Sequence, residues 1–350
     1  MLQVNDEPTR IPAVRGADFG IILSIIICLA IVAMGAQLLT FELAPNPGIA
    51  FHYEWQLAEP DFWSRATIWI AFGLHQLLVW WTVYYAQKRY AGSKYSDTLR
   101  PINLIALAIN TVFIVLHYAQ TYFFYDAMAQ DIPSWTAQYA VIMMLVVIVA
   151  MENRRRGIFL GKKVKFRQEF YRWLKEYHPY AFSFAVIYTF WFHPMIPTVG
   201  HLLGFVQVIL VMVQGSLMFT KIHVNRRWML LLEIMVLPHA AFVAYHQGTG
   251  IIYMFMFGFM TLFVVTQMHG LGWKPWLKNV FYGLFALTVL FTYTMLRQPY
   301  QINEVIRIPA VEYLTLFAIY GLWWVVFRIG GRLKRDDEPT SSGVATAAGD

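Results

Sequence analysis

Glu233 is the side chain of this 350-residue sequence that most needs a chemical explanation. It stands inside the apolar run Trp228 to Ala244, about 10 Å past the Arg226 and Arg227 pair at 1.5 Å per helical residue. A carboxylate at that depth loses its hydration unless a cation or a cavity receives it, and such residues serve as proton donors or acceptors inside membranes. Glu233 is therefore the candidate catalytic, proton-exchanging residue. Its structural alternative is burial as the partner of a neighbouring cation or asparagine.

Histidine forms the second group. All but His52 of the ten histidines lie in or beside apolar runs, and His117, His193, His201, His239 and His246 fall at similar depth. Neutral imidazole ligates metals and titrates near neutral pH, so His117, His201, His239 and His246 are the candidate ligands of a metal, with iron, copper or haem as the expected group. Spacing narrows the geometry. His239 and His246 are two turns apart, about 10.5 Å along a helix, and cannot share one ion. No HExxH zinc-protease helix and no HxxxH or HxxHH cluster occurs, so a site would draw one histidine from each of several helices.

Polar residues also recur every seven positions, as Asn103, Asn110 and His117, and as Gln207, Gln214 and Lys221. That spacing keeps each set near one helix face. The stripes either line a polar interior or hydrogen-bond helices to one another, a contribution averaging about 0.6 kcal/mol per pair.

The elements that position these groups follow from composition. The chain is 58% hydrophobic and 13% charged, against about 25% charged in an ordinary soluble domain. A soluble fold of this length buries about 75% of its unfolded surface, which leaves too much Leu, Ile, Phe and Trp in water. Lipid is the matching solvent. Ten apolar runs are expected to span it: Phe19 to Thr40, Thr67 to Ala86, Pro101 to Phe123, Thr136 to Met151, Tyr180 to Phe192, His201 to Thr220, Trp228 to Ala244, Ile251 to Met268, Val280 to Leu296 and Ala310 to Phe327. The Tyr180 run is the shortest. No cleavable leader is expected, because the first run is longer than a signal-peptide core.

The net charge of +7 sits in short clusters at Gln87 to Arg100, Glu152 to His178, Lys221 to Arg227, Gly270 to Lys278 and Arg328 to Arg335. These fall on alternate sides of the runs and mark the cytoplasmic face, which places both termini there; nucleic-acid binding is not indicated. Two arginines between Arg297 and Arg307 break the pattern by falling on the outer side. The expected fold is thus an all-α, polytopic transmembrane bundle of about ten spans. Residues 1–18 form a cytoplasmic segment, 19–330 the membrane domain and 331–350 a disordered cytoplasmic tail. Within the domain, 152–179 is a basic loop whose Phe166, Phe170, Tyr171, Trp173 and Leu174 describe an amphipathic helix facing anionic lipid. The single cysteine, Cys28, excludes an intrachain disulfide and any multi-cysteine metal knuckle.

Together these features point to a membrane-embedded metal- or haem-dependent oxidoreductase of the plasma (inner) membrane acting on a lipophilic small molecule. A proton-coupled transporter and a non-catalytic membrane subunit are the alternatives.

Overall fold

In the computed structural model, residues 9–48, 53–246 and 250–330 are described, and they form helices with no strand among them. In chain order these are α1 (Val14–Ala33), α2 (Gly35–Leu38), α3 (Phe62–Tyr90), α4 (Pro101–Phe124), α5 (Trp135–Arg156), α6 (Gln168–Phe192), α7 (Val199–Ser216), α8 (Arg226–His246), α9 (Ile252–Val265), α10 (Pro275–Phe291) and α11 (Glu304–Ile329). A π-helical turn over Thr292–Leu296 extends α10. Nine helices among the described residues are long and apolar enough to cross a membrane; α6 falls outside that set because its first half, Gln168 to Tyr180, is polar.

Local chemistry sets the helix ends. Asp61 caps α3 by accepting from the Ser64 amide at 2.6 Å, and Thr198 caps α7 by accepting from the His201 amide at 3.3 Å. Pro101 and Pro275 open α4 and α10, where a missing N–H costs nothing. Gly157 ends α5 at φ 72°, and a Cβ there would lie 2.5 Å from the Lys162 carbonyl, so only glycine fits.

Cross-helix contacts fix the directions. Arg100 at the start of α4 lies over Tyr90 at the end of α3, whereas Arg65 at the start of α3 pairs with Asp126 just past α4 at 2.7 Å. Asn103 near the start of α4 donates to the Ser216 carbonyl at the end of α7, and His117 near the end of α4 meets the His193 carbonyl just past α6. The Tyr180 hydroxyl, in the first half of α6, donates to Gln87 near the end of α3. Helix α6 therefore runs between the same two ends as α3 and α4. One end gathers most lysines and arginines and is here termed the basic end; the other is the histidine end.

Glycine lets the helices approach closely. An added Cβ would stand 3.0 Å from Val213 at Gly20, 2.7 Å from His239 at Gly204 and 2.7 Å from Ile308 at Gly258, which joins α1 to α7, α7 to α8 and α9 to α11. One apolar core at the histidine half contains Ile31, Ile68, Ile114, Phe190, Trp191 and Met195. A second, at the basic half, packs Phe166, Phe170 and Leu174 against Leu316 and Trp323 of α11. Outward-facing Leu29, Leu287, Leu314 and Val326 are exposed, as lipid-facing side chains are. Helix α10 buries none of its residues.

The largest departures from the expected boundaries are at the first run and at Tyr180. The first run starts earlier, at Val14, and stops at Ala33, after which Gly35–Leu38 forms a separate short turn. The shortest run, at Tyr180, is the second half of a helix that begins at Gln168. Pro179 does not break that helix, because the Lys175 carbonyl it frees lies 2.9 Å from His178 Nδ1. The apolar face of the 162–180 segment is buried in protein, while Lys162, Lys163, Lys165, Arg172 and Lys175 stay exposed.

Candidate functional site

Two buried polar centres lie inside the bundle. Towards the basic end, ENRRRG (Glu152 to Gly157) carries the last turn of α5 into contact with four neighbours. Asn153 is fully buried and pins the following loop, donating to the Val164 carbonyl at 2.7 Å and accepting from its amide at 3.0 Å. Arg154 stacks over Tyr171 at 3.9 Å. Arg155 pairs with Glu152 and reaches the Gly270 carbonyl. Arg156 points inward and meets Glu233 of α8 at 2.7 Å, with both side chains 3% exposed or less.

Glu312 of α11 completes this centre. It is 1% exposed, neither carboxylate oxygen has a hydrogen-bond partner, and Arg156 is the cation that acts on it. Arg156 Nε is likewise buried and unpartnered. With Glu152 and Arg155 included, three carboxylates face two guanidinium groups, so the cluster carries one negative charge when every group is ionised. One proton neutralises it. Prolines flank both inner carboxylates: Pro238 follows Glu233 on α8, and Pro309 precedes Glu312 on α11. The carbonyl that Pro309 frees, that of Val305, accepts from the Thr261 hydroxyl at 2.9 Å.

The histidine end is built differently. The Trp191 indole N–H donates to His75 Nδ1 at 3.2 Å, which puts the proton of the neutral ring on Nε2, and that proton goes to Asn110 Oδ1 at 2.8 Å. Asn110 in turn donates to the Ser216 hydroxyl at 2.9 Å, so one chain of hydrogen bonds ties α6, α3, α4 and α7 together. His117 Nε2 donates to the His193 carbonyl at 2.9 Å, leaving Nδ1 buried without a partner. The Tyr53 hydroxyl lies 2.8 Å from His193 Nδ1, Thr198 Oγ1 lies 2.7 Å from His201 Nδ1, and His239 Nδ1 donates to the Gly200 carbonyl at 2.9 Å. The rings of His193 and His201 are 5.3 Å apart.

Three of the expected metal ligands, His117, His201 and His239, therefore gather around the α6–α7 connection; the side chain of the fourth, His246, lies outside the described residues. One ring nitrogen of each is taken up by a carbonyl or a hydroxyl, and His117 Nδ1 has no partner. Among the described residues, no three His, Cys, Asp or Glu side chains come together in a way that could hold a metal ion, so the metal- and haem-binding expectation gains no support. The amide stripes serve as hydrogen-bonding links. Gln207 donates to the Leu232 carbonyl, Gln214 to the His223 carbonyl, and Lys221 pairs with Asp97 at 2.6 Å.

Glu312 and Arg156 are the members of the basic-end centre that sequence reasoning missed. The rule that singles out Glu233 applies equally to Glu312, which lies inside the run starting at Ala310. Arg156 gave no such signal, because in sequence it is one of three consecutive arginines at a helix end. Protein-family models, curated proteins and solved structures were all compared with the chain, and none matches.

Proposed function

We propose that the protein is a proton-coupled membrane transporter in which Glu233 and Glu312 share Arg156 and bind the coupling proton. One observation carries this reading: a 1%-exposed carboxyl, Glu312, without a hydrogen-bond partner, within the field of an arginine already committed to a second carboxylate. With Glu312 protonated, Arg156 stays with Glu233. Loss of that proton makes Glu312 a competitor for the guanidinium. At about 4 Å and an effective dielectric constant of about 20, a unit-charge pair is worth about 4 kcal/mol, enough to shift a two-state equilibrium between helix arrangements by more than a hundredfold. Helices α8 and α11, which carry Pro238 and Pro309 inside them, are the elements such a change would move.

Helix α6 is the tenth crossing, the basic end faces the cytoplasm of a plasma membrane, and the exposed cations of the 162–175 segment meet anionic lipid there. The oxidoreductase reading has no specific observation in its favour. Charge displacement on a solid-supported membrane tests the proposal: a pH jump across proteoliposomes should give a transient current in the wild type and none in Glu312→Gln. Identical currents in the two would overturn it.

A further inference from the structure

Among the described residues, only three lysines or arginines stand at the histidine end: Arg65, Arg297 and Arg307. Two are matched by carboxylates. Arg65 pairs with Asp126 and Asp131, and Arg297 pairs with Glu304 at 2.6 Å. Arg307 has no carboxylate within ion-pair distance among the described residues; one of its nitrogens donates to Asn303 Oδ1 at 2.6 Å, and another lies 4.0 Å from the Met254 sulfur.

Arg307 borders a cavity of about 440 Å³ between the start of α9, the turn before α11 and the first turns of α11. Arg297, Gln301, Asn303 and Glu304 line the same space, with Ile251 and Met254 as its apolar wall. Arg297 is held firmly in the wall. Its guanidinium lies 4.8 Å from the centroid of the Tyr253 ring and packs against Gly250, whose φ of 73° and missing Cβ leave room for it. Its Nε is buried without a partner. Glu304 is fully engaged, because its second oxygen accepts from the Tyr293 hydroxyl at 3.0 Å. The cavity therefore holds two guanidinium groups and one committed carboxylate, a net charge of +1.

From this geometry we infer a binding site for a monoanionic phosphate or carboxylate group, with Arg307 as the principal ligand and Arg297 as the second cation. A cavity of this size suits a headgroup or a small oxyanion, and a guanidinium fork matches two oxygens of either. Exposed Met295, Leu296 and Ile302, close in sequence to the lining residues Arg297 and Asn303, offer an apolar surface that suits the tail of an amphiphile. The site also accounts for two arginines at the end where membrane proteins are usually depleted of them. It is independent of the Arg156 cluster.

Native mass spectrometry of the full chain, released from nanodiscs of mixed phosphatidylglycerol and phosphatidylcholine, tests the lipid source. Calorimetry with inorganic phosphate in pure phosphatidylcholine nanodiscs tests the free-anion source. Wild type is expected to retain one more phosphatidylglycerol than Arg307→Gln, or to bind phosphate about tenfold more tightly than that variant. The first result makes the ligand a lipid headgroup and the second a soluble anion. Arg307 is exposed, so Arg307→Gln should fold, and an unchanged unfolding temperature confirms it. If wild type and a folded Arg307→Gln match in both lipid count and phosphate affinity, the inference fails.

Discussion

At the basic end, the Arg156–Glu233 pair and the unpaired Glu312 leave three polar atoms unpartnered; at the histidine end, five imidazoles are tied to carbonyls, hydroxyls, an amide and an indole, with His117 Nδ1 orphaned. Both centres are buried, and both arise from polar residues inside apolar runs. What separates them is charge. A neutral imidazole is satisfied by one or two hydrogen bonds, and even Gln76 and Gln120, buried with both amide atoms unpartnered, forfeit only about 1–3 kcal/mol per orphaned group. A buried carboxylate must find a cation or take a proton. The histidine end is therefore read as a hydrogen-bonded lock and the basic end as the place where ionisation can change the structure.

Arg156→Leu should do the most damage. It strands two carboxylates in the interior and should destabilise the protein by about 3–5 kcal/mol, read as a lower unfolding temperature in detergent. A variant as stable as wild type would mean that Arg156 does not hold the cluster together. At the other end, His75→Ala orphans the Trp191 N–H and Asn110 and opens a void, with an expected loss of about 1–3 kcal/mol. His239→Ala removes a single bond to the Gly200 carbonyl, and its loss should be nearer 1 kcal/mol. If His239→Ala costs more than His75→Ala, the lock is not centred on the Trp191–His75–Asn110 chain.

The smallest effect concerns Asp131, in the connection between α4 and α5. Partial burial pushes its carboxyl up, but hydrogen bonds from Arg65 and Trp69 and the Arg65 charge outweigh this and hold it below the ordinary value. A depressed folded value means that the stabilisation is present above the unfolded carboxylate pKa of about 3.9 and fades as pH falls through the folded one. The side chain is 43% exposed, so solvent screening keeps the effect modest. Asp131→Asn should lower the unfolding temperature slightly at neutral pH and converge on wild type below about pH 4, which flattens the acid limb of the profile. An acid limb unaltered by the substitution would remove Asp131 from the account.

The helical class and most of the helices were legible because apolar runs near 20 residues have few readings other than a membrane span. Helix α6 was harder. Its first half reads as a charged amphipathic segment, and only the packing of Phe166, Phe170 and Leu174 against α11 shows where the apolar face goes. At the candidate site, the depth of Glu233 was readable, but its partner was not. Arg156 arrives from a helix 77 residues away in sequence, a pairing that no local spacing encodes. The histidines misled for the opposite reason: clustering at one depth is visible in sequence, whereas the carbonyls and hydroxyls that occupy their nitrogens appear only once the α6–α7 connection is folded.

In the proposed mechanism Glu312 binds and releases a proton near the Arg156–Glu233 pair. Infrared difference spectroscopy across a pH titration, in ordinary and deuterated water, reads this directly. A protonated-carboxyl C=O band that titrates and shifts on deuteration is expected in the wild type and is expected to vanish in Glu312→Gln. A wild type with no such band, or a band unchanged in Glu312→Gln, would contradict the account.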